Sequence, residues 1–180
     1  DLLPYVKSQY RTLKKKFKGA INVSSNYSQC YQDLFVLTAL DGKKDGNYIE
    51  IGAGRPYYGN NTALLKQWGY KGVSLDVDPA HNTYKVLQNI PFNTLEFGVI
   101  TYEHDYYCDN TKSYRSKSRK LLKDAGYILV AGNISPDKNS PYEDWWVHPR
   151  LIENCNIDDN KRVLFASDYM LEETEDNNMY

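Results

Sequence analysis

The chain predicts an α/β fold, a mainly parallel sheet with helices on both faces. Three observations carry this. Short apolar runs alternate with amphipathic stretches along the chain. The apolar runs at 47–51 and 72–77 end in a glycine turn and in acids. At 180 residues, 41% apolar and 25% charged, the chain has the make-up of a globular domain able to bury a core.

The elements follow in order. Leu3, Val6, Tyr10, Leu13 and Phe17 recur at steps of three and four and predict a first helix. Residues 22–26 form a polar connection. Ser28 is placed to cap a second helix running to about Leu40, where Asp41-Gly42 stops it. Asn47-Tyr48-Ile49-Glu50-Ile51 predicts a buried strand that feeds the turn Gly52-Ala53-Gly54. Residues 61–68 predict a helix, 72–77 a strand, and 82–89 a helix broken by Pro91. A strand at 97–102, a basic amphipathic helix at 113–125 and a strand at 127–131 follow. Asp144-Trp145-Trp146-Val147 is a further apolar piece. The implied organisation is a helical extension over 1–26, an α/β domain over 27–153, and a polar acidic segment over 154–180.

Charge and cysteine usage narrow the function classes. The net charge of −1 lacks the basic excess of a nucleic-acid binder. Lys14-Lys15-Lys16-Phe17-Lys18 and Glu172-Glu173-Thr174-Glu175-Asp176 read as solvated ends. No apolar stretch is long enough to cross a bilayer, and the first residues have no secretory pattern. Cys30, Cys108 and Cys155 are an odd, scattered set without a C-x-x-C pair, which fits a reducing cytoplasm. Most of the 17 tyrosines are expected to pack amphipathically.

The strongest local signal is Tyr48-Ile49-Glu50-Ile51-Gly52-Ala53-Gly54. Two glycines allow a sharp turn and close approach of a ligand to the backbone. Glu50 sits at the strand end, where its carboxylate can shape the loop or reach a ligand amine. Position 57 is Tyr57, so there is no G-x-G-x-x-G, and no Walker lysine follows. The turn suits a nucleoside ligand with an amino-acid arm. Equally, it serves as a plain connection between strand and helix.

Acids and a histidine gather at predicted strand ends: Asp76, Asp78, Glu103, His104 and Asp105. Carboxylates and an imidazole so placed can accept a proton from a reacting group. His104 and Asp78 are the candidate bases, with Glu103 orienting the substrate. His81 is less favoured, because it starts a helix. Asp76-x-Asp78 with Glu103 or Asp105 also offers hard oxygen ligands to a divalent metal. That spacing keeps a nucleotide-sugar glycosyltransferase open as an alternative. Of Trp145 and Trp146, one is expected in the core and the other is free to cover a sugar or a ring. His148 and the basic side chains Lys112, Arg115, Lys117, Arg119, Lys120 and Lys123 are expected at the surface. Cys108 has no base beside it to make it a nucleophile.

Several of these pieces, in order, resemble the FkbM-type S-adenosylmethionine-dependent methyltransferases. They are Ser28-Gln29-x-x-Gln32-Asp33, Glu50-Ile51-Gly52-Ala53-Gly54, Asn60-Asn61-Thr62 and Trp68-Gly69-Tyr70-Lys71-Gly72-Val73. Leu75 to His81, Val99 to Asp105 and Ser116 to Tyr127 are similar to later family segments, so the resemblance spans roughly 27–150. It implies a Rossmann-like class I methyltransferase sheet that lacks the segment around the third strand. It implies S-adenosylmethionine as cofactor, bound by Glu50, Gly52, Ala53 and Gly54. Gln29 and Gln32 would approach the cofactor or brace the loop, and Asn61 and Thr62 would pin the next helix. The acceptor would be a hydroxyl of a small molecule or carbohydrate. A non-catalytic ligand-binding module is the alternative.

One departure bears on Asp76. Gly72-Val73-Ser74 runs straight into Leu75-Asp76-Val77-Asp78-Pro79, as if two strands were fused. If the chain is continuous, Asp76 takes the place of the acid that binds the cofactor ribose. If a segment is missing at the join, Asp76 and Asp78 end the fourth strand, near the methyl group. The second reading is preferred, because parallel neighbours normally need about a dozen residues between them.

Overall fold

The computed structural model describes residues 13–23, 25–56, 58–76, 83–106, 112–135, 140–152, 164–165 and 169–170. It is a mixed α/β structure with two compact units, one of residues up to 79 with those from 166 on, the other of residues 80–165.

In the first unit the order is a short 3-10 turn (Ala20–Asn22), α1 (Gln32–Ala39), β1 (Asn47–Ile51), α2 (Ala63–Gln67) and β2 (Lys71–Leu75). The predicted first helix is not formed over its described part. Leu13 to Phe17 lies in a bridge and bends, although Leu13 and Phe17 are buried. The rest of that prediction lies outside the described residues. Phe17 packs edge-on against Trp68, and the Trp68 indole N–H donates to Gly42 O at 2.9 Å.

Tyr31, not Ser28, stands at the N-cap position of α1, but the Ser28 Oγ accepts the Asp33 amide in the first turn at 3.4 Å, as a capping side chain does. The same hydroxyl donates to Asp33 Oδ1 at 2.5 Å, while Asp33 Oδ2 accepts the Tyr27 amide at 2.8 Å. The turn at 27–33 therefore closes on an acid in the first turn of the helix. Gly42 ends α1 at φ 66°, and its amide donates to Leu37 O at 2.8 Å.

β1 and β2 pair in parallel, with Glu50 opposite Ser74 and Ile51 opposite Leu75. Residues 71–75 are thus one strand across the Ser74–Leu75 join. The strand at 47–51 is not buried as its apolar run predicts. Within it only Glu50 is buried, while Ile49 and Ile51 are 53% and 47% exposed.

The second unit holds α3 (Thr83–Gln88), β3 (Val99–Glu103), α4 (Tyr114–Asp124), β4 (Ile128–Ser135), β5 (Glu143–Val147) and β6 (Leu164–Phe165). Its sheet order is β3-β5-β4-β6. β5 runs antiparallel to both neighbours, so β3 and β4 point the same way, joined through α4. The single, mainly parallel sheet of the sequence reading is therefore replaced by a parallel pair and a largely antiparallel sheet. Leu87, Tyr102, Leu122, Tyr127 and Trp146 form a buried core. Residues 164–165, inside the segment read as polar and acidic (154–180), form β6, which pairs in parallel with β4.

Candidate functional site

In the first unit, the carboxyl ends of β1 and β2 bring most of the predicted cofactor residues together. Gly52 and Gly54 have φ of 80° and 54°, a backbone that residues with a Cβ rarely adopt. The amides of Gly52 and Ala53 both donate to Leu75 O, at 2.8 and 3.1 Å. The end of β2 thus holds the bend, and Asp76 follows directly, exposed. A Cβ built at Gly52 or Gly54 would meet nothing within 4 Å. The outer side of the turn is open.

Glu50 braces the turn from within. Its Oε1 accepts the Asn61 amide at 3.1 Å. Its Oε2 accepts from the hydroxyls of Thr62 (2.7 Å) and Ser74 (2.9 Å) and from Asn60 Nδ2 at 3.4 Å. Glu50 therefore shapes the loop, and its oxygens are already engaged. Asn60, absent from the predicted set, is the hub of the loop. Its Oδ1 accepts the amides of Thr62 (3.0 Å) and Ala63 (2.7 Å) at the start of α2, and its Nδ2 donates to Ala53 O at 3.1 Å. The preference of Asn for helix starts was the available signal. Gln32 is buried and accepts the Cys30 amide at 2.8 Å, so it braces the 27–33 turn. Gln29 in that turn is exposed.

In the second unit, Glu103, His104 and Asp105 stand at the carboxyl end of β3. Glu103 is exposed at the strand end; desolvation by its surroundings, then the neighbouring Asp105 carboxylate, push its pKa up to about 7, a shift that solvent access at this position works against. His104 is fully buried. Its Nδ1 accepts the Tyr106 amide at 3.2 Å, and its Nε2 faces Asp144 Oδ1 at 3.5 Å. Asp144, also fully buried, receives Arg119 Nε (2.8 Å) and Nη2 (2.7 Å) and the Asn133 amide (2.8 Å). Asp78, His81 and Cys108 lie outside the described residues.

Three surface expectations are corrected. Trp145 and Trp146 are both fully buried, on opposite faces of β5, so neither is free to cover a substrate. Arg115 and Arg119 turn toward the sheet and share Asn133 Oδ1, at 2.8 and 2.9 Å. His148 is buried against Tyr127, with ring centroids 5.0 Å apart. The Arg119–Asp144 pair was the residue set missed. An acid inside an apolar run was its signal, since a buried carboxylate needs a partner.

Burial works to raise the Asp144 pKa, but the Arg119 bonds and the facing His104 outweigh it and hold it at about 2, below the ordinary 3.8. A depressed carboxyl stabilises the fold above its unfolded pKa, and that contribution drains away as pH falls through the folded value. Asp144→Asn is therefore expected to cost roughly 2 kcal/mol at pH 7. The gap to wild type should close between about pH 4 and pH 2. Urea titrations across that range measure it, and a gap independent of pH would contradict the assignment.

Among the described residues, no group of three or more His, Cys, Asp or Glu is arranged to hold a metal ion, and no helix is long and apolar enough to cross a membrane. No protein-family model, curated protein or solved structure matches this chain.

Proposed function

We propose that the chain is an S-adenosylmethionine-dependent methyltransferase acting on a hydroxyl oxygen of a small molecule or carbohydrate. The observation that carries this reading is the open glycine bend at 52–54, braced from within by a Glu50 whose oxygens are occupied. Such a bend leaves backbone exposed for close approach by an adenosyl ligand. The residues fit that group in a second respect. Asp76 follows the strand whose terminal carbonyl holds the bend, and a carboxylate there suits two ribose hydroxyls. The unbroken β2 favours the ribose role for Asp76 over a place on a fourth strand.

The sulfonium supplies an activated methyl group when bound. The chain's remaining task is to take a proton from the acceptor hydroxyl. Its raised pKa, about 7, brings the exposed Glu103 carboxyl toward the strength a general base needs. His104, the other described candidate, has one nitrogen accepting an amide and the other facing a carboxylate, both within the protein. Of the candidates described in the second unit, Glu103 is the one whose carboxyl has that strength.

Calorimetry with S-adenosylhomocysteine tests the proposal. One saturable site is expected, weakened about tenfold or more by Asp76→Ala, as for loss of a hydrogen bond to a charged group. Absence of binding to the wild-type chain would remove the methyltransferase reading.

A further inference from the structure

We propose that Arg119 and Asp144 are positioning residues that act through the His104 imidazole to fix the turn at 103–106 and so aim the Glu103 carboxylate. The role concerns the second unit alone, and its geometry does not rest on the methyltransferase reading.

The argument starts from a tautomer. The Tyr106 amide donates to His104 Nδ1, so that nitrogen carries no proton. In the neutral ring the proton then sits on Nε2, which lies 3.5 Å from Asp144 Oδ1, close enough for electrostatic contact but outside hydrogen-bond geometry. Asp144 is in turn fixed by two bonds from Arg119 and one from the Asn133 amide. A chain of contacts thus runs from α4, through β5, to the backbone of Tyr106, three residues past Glu103.

The same turn is held at other points. The amides of His104 and Asp105 both donate to Tyr142 O, at 2.7 and 3.2 Å, and Asp105 has φ 51°. A non-glycine residue in that region persists only where its surroundings hold it. Arg115, one helical turn before Arg119, lies 3.6 Å over the Tyr106 ring. Two arginines on one helix face therefore secure the turn, one over its aromatic end and one through Asp144 and His104. Glu103 is next to His104, and opposite it on β5 stands Glu143, next to Asp144. Any slack in the pair passes directly to the strand end that carries Glu103.

Long-range nitrogen–proton correlation spectra of the full chain read the His104 tautomer, and carbon-detected carboxyl shifts read the Glu103 titration midpoint. In the wild type a single Nε2–H tautomer is expected. In Asp144→Asn and in Arg119→Gln, each with native near-UV circular dichroism, a mixture of tautomers and a downward-shifted Glu103 midpoint are expected, with Arg119→Lys restoring part of both. Arg119 is partly exposed, so its variants keep the test open if Asp144→Asn does not fold. An unchanged tautomer and an unchanged Glu103 midpoint in the Arg119 variants would overturn the proposal. Binding of S-adenosylhomocysteine, measured in parallel, should be the same in these variants as in the wild type. If the wild type binds none, the enzymatic reading fails while the tautomer result still decides the positioning role.

Discussion

Gly52→Val is expected to abolish binding of S-adenosylhomocysteine in calorimetry, with a loss of at least a hundredfold. Two physical effects act together. At φ 80° a β-branched residue is strained, which costs roughly 1–2 kcal/mol of backbone energy. The side chain would also project into space where a Cβ meets no protein atom within 4 Å. No neighbouring side chain has to move, so the fold is expected to survive while the valine occupies the open side of the bend, where the proposed ligand would lie. Gly52→Asn separates the effects, because Asn tolerates the left-handed region yet still occupies the space. Loss of binding in both variants, with unfolding midpoints close to wild type, is the expected pattern. Unchanged affinity in Gly52→Val would remove the bend from the ligand site.

The bend was legible in the sequence because its constraint is local. Two glycines after an apolar run define a turn whatever surrounds it, and Asn60-Asn61-Thr62 marks the helix start that follows. The strands at 47–51 and 99–103 were legible for the same reason. What escaped depends on pairing between distant residues. Arg119 and Asp144 are 25 positions apart, and only the register of β4 with β5 brings the acid under α4. Adjacent tryptophans on a strand point to opposite faces, but sequence does not say that both faces are covered. Every residue of β5 is buried, Glu143 and Asp144 included. Leu13 and Phe17 show the converse error. Their spacing matches a helix, yet they are buried in a non-helical segment, because periodicity records which side chains turn inward and not the backbone that turns them. The two-residue β6 has no pattern of its own to read.

Glu50→Ala is expected to lower the stability of the first unit by about 3 kcal/mol, a large effect for one side chain. Four groups donate to that carboxylate: the Asn61 amide, the Thr62 and Ser74 hydroxyls and the Asn60 side-chain amide. Each buried group left without a partner costs about 1–3 kcal/mol, reduced where water can enter. Glu50→Gln discriminates among these contacts. Its oxygen can keep the three bonds made at Oε2, while its NH2 group must face the Asn61 amide, donor against donor. The glutamine variant should therefore lose less than the alanine variant, about 1–2 kcal/mol from the single mismatched position. The two units are distinct, so the unfolding transition of the first must be followed separately, by Trp68 fluorescence in a Trp145→Phe, Trp146→Phe background. The order wild type, glutamine, alanine supports a bracing role for Glu50. If Glu50→Ala instead keeps full stability and only weakens S-adenosylhomocysteine binding, the carboxylate serves the ligand and the loop is held by its backbone bonds to Leu75.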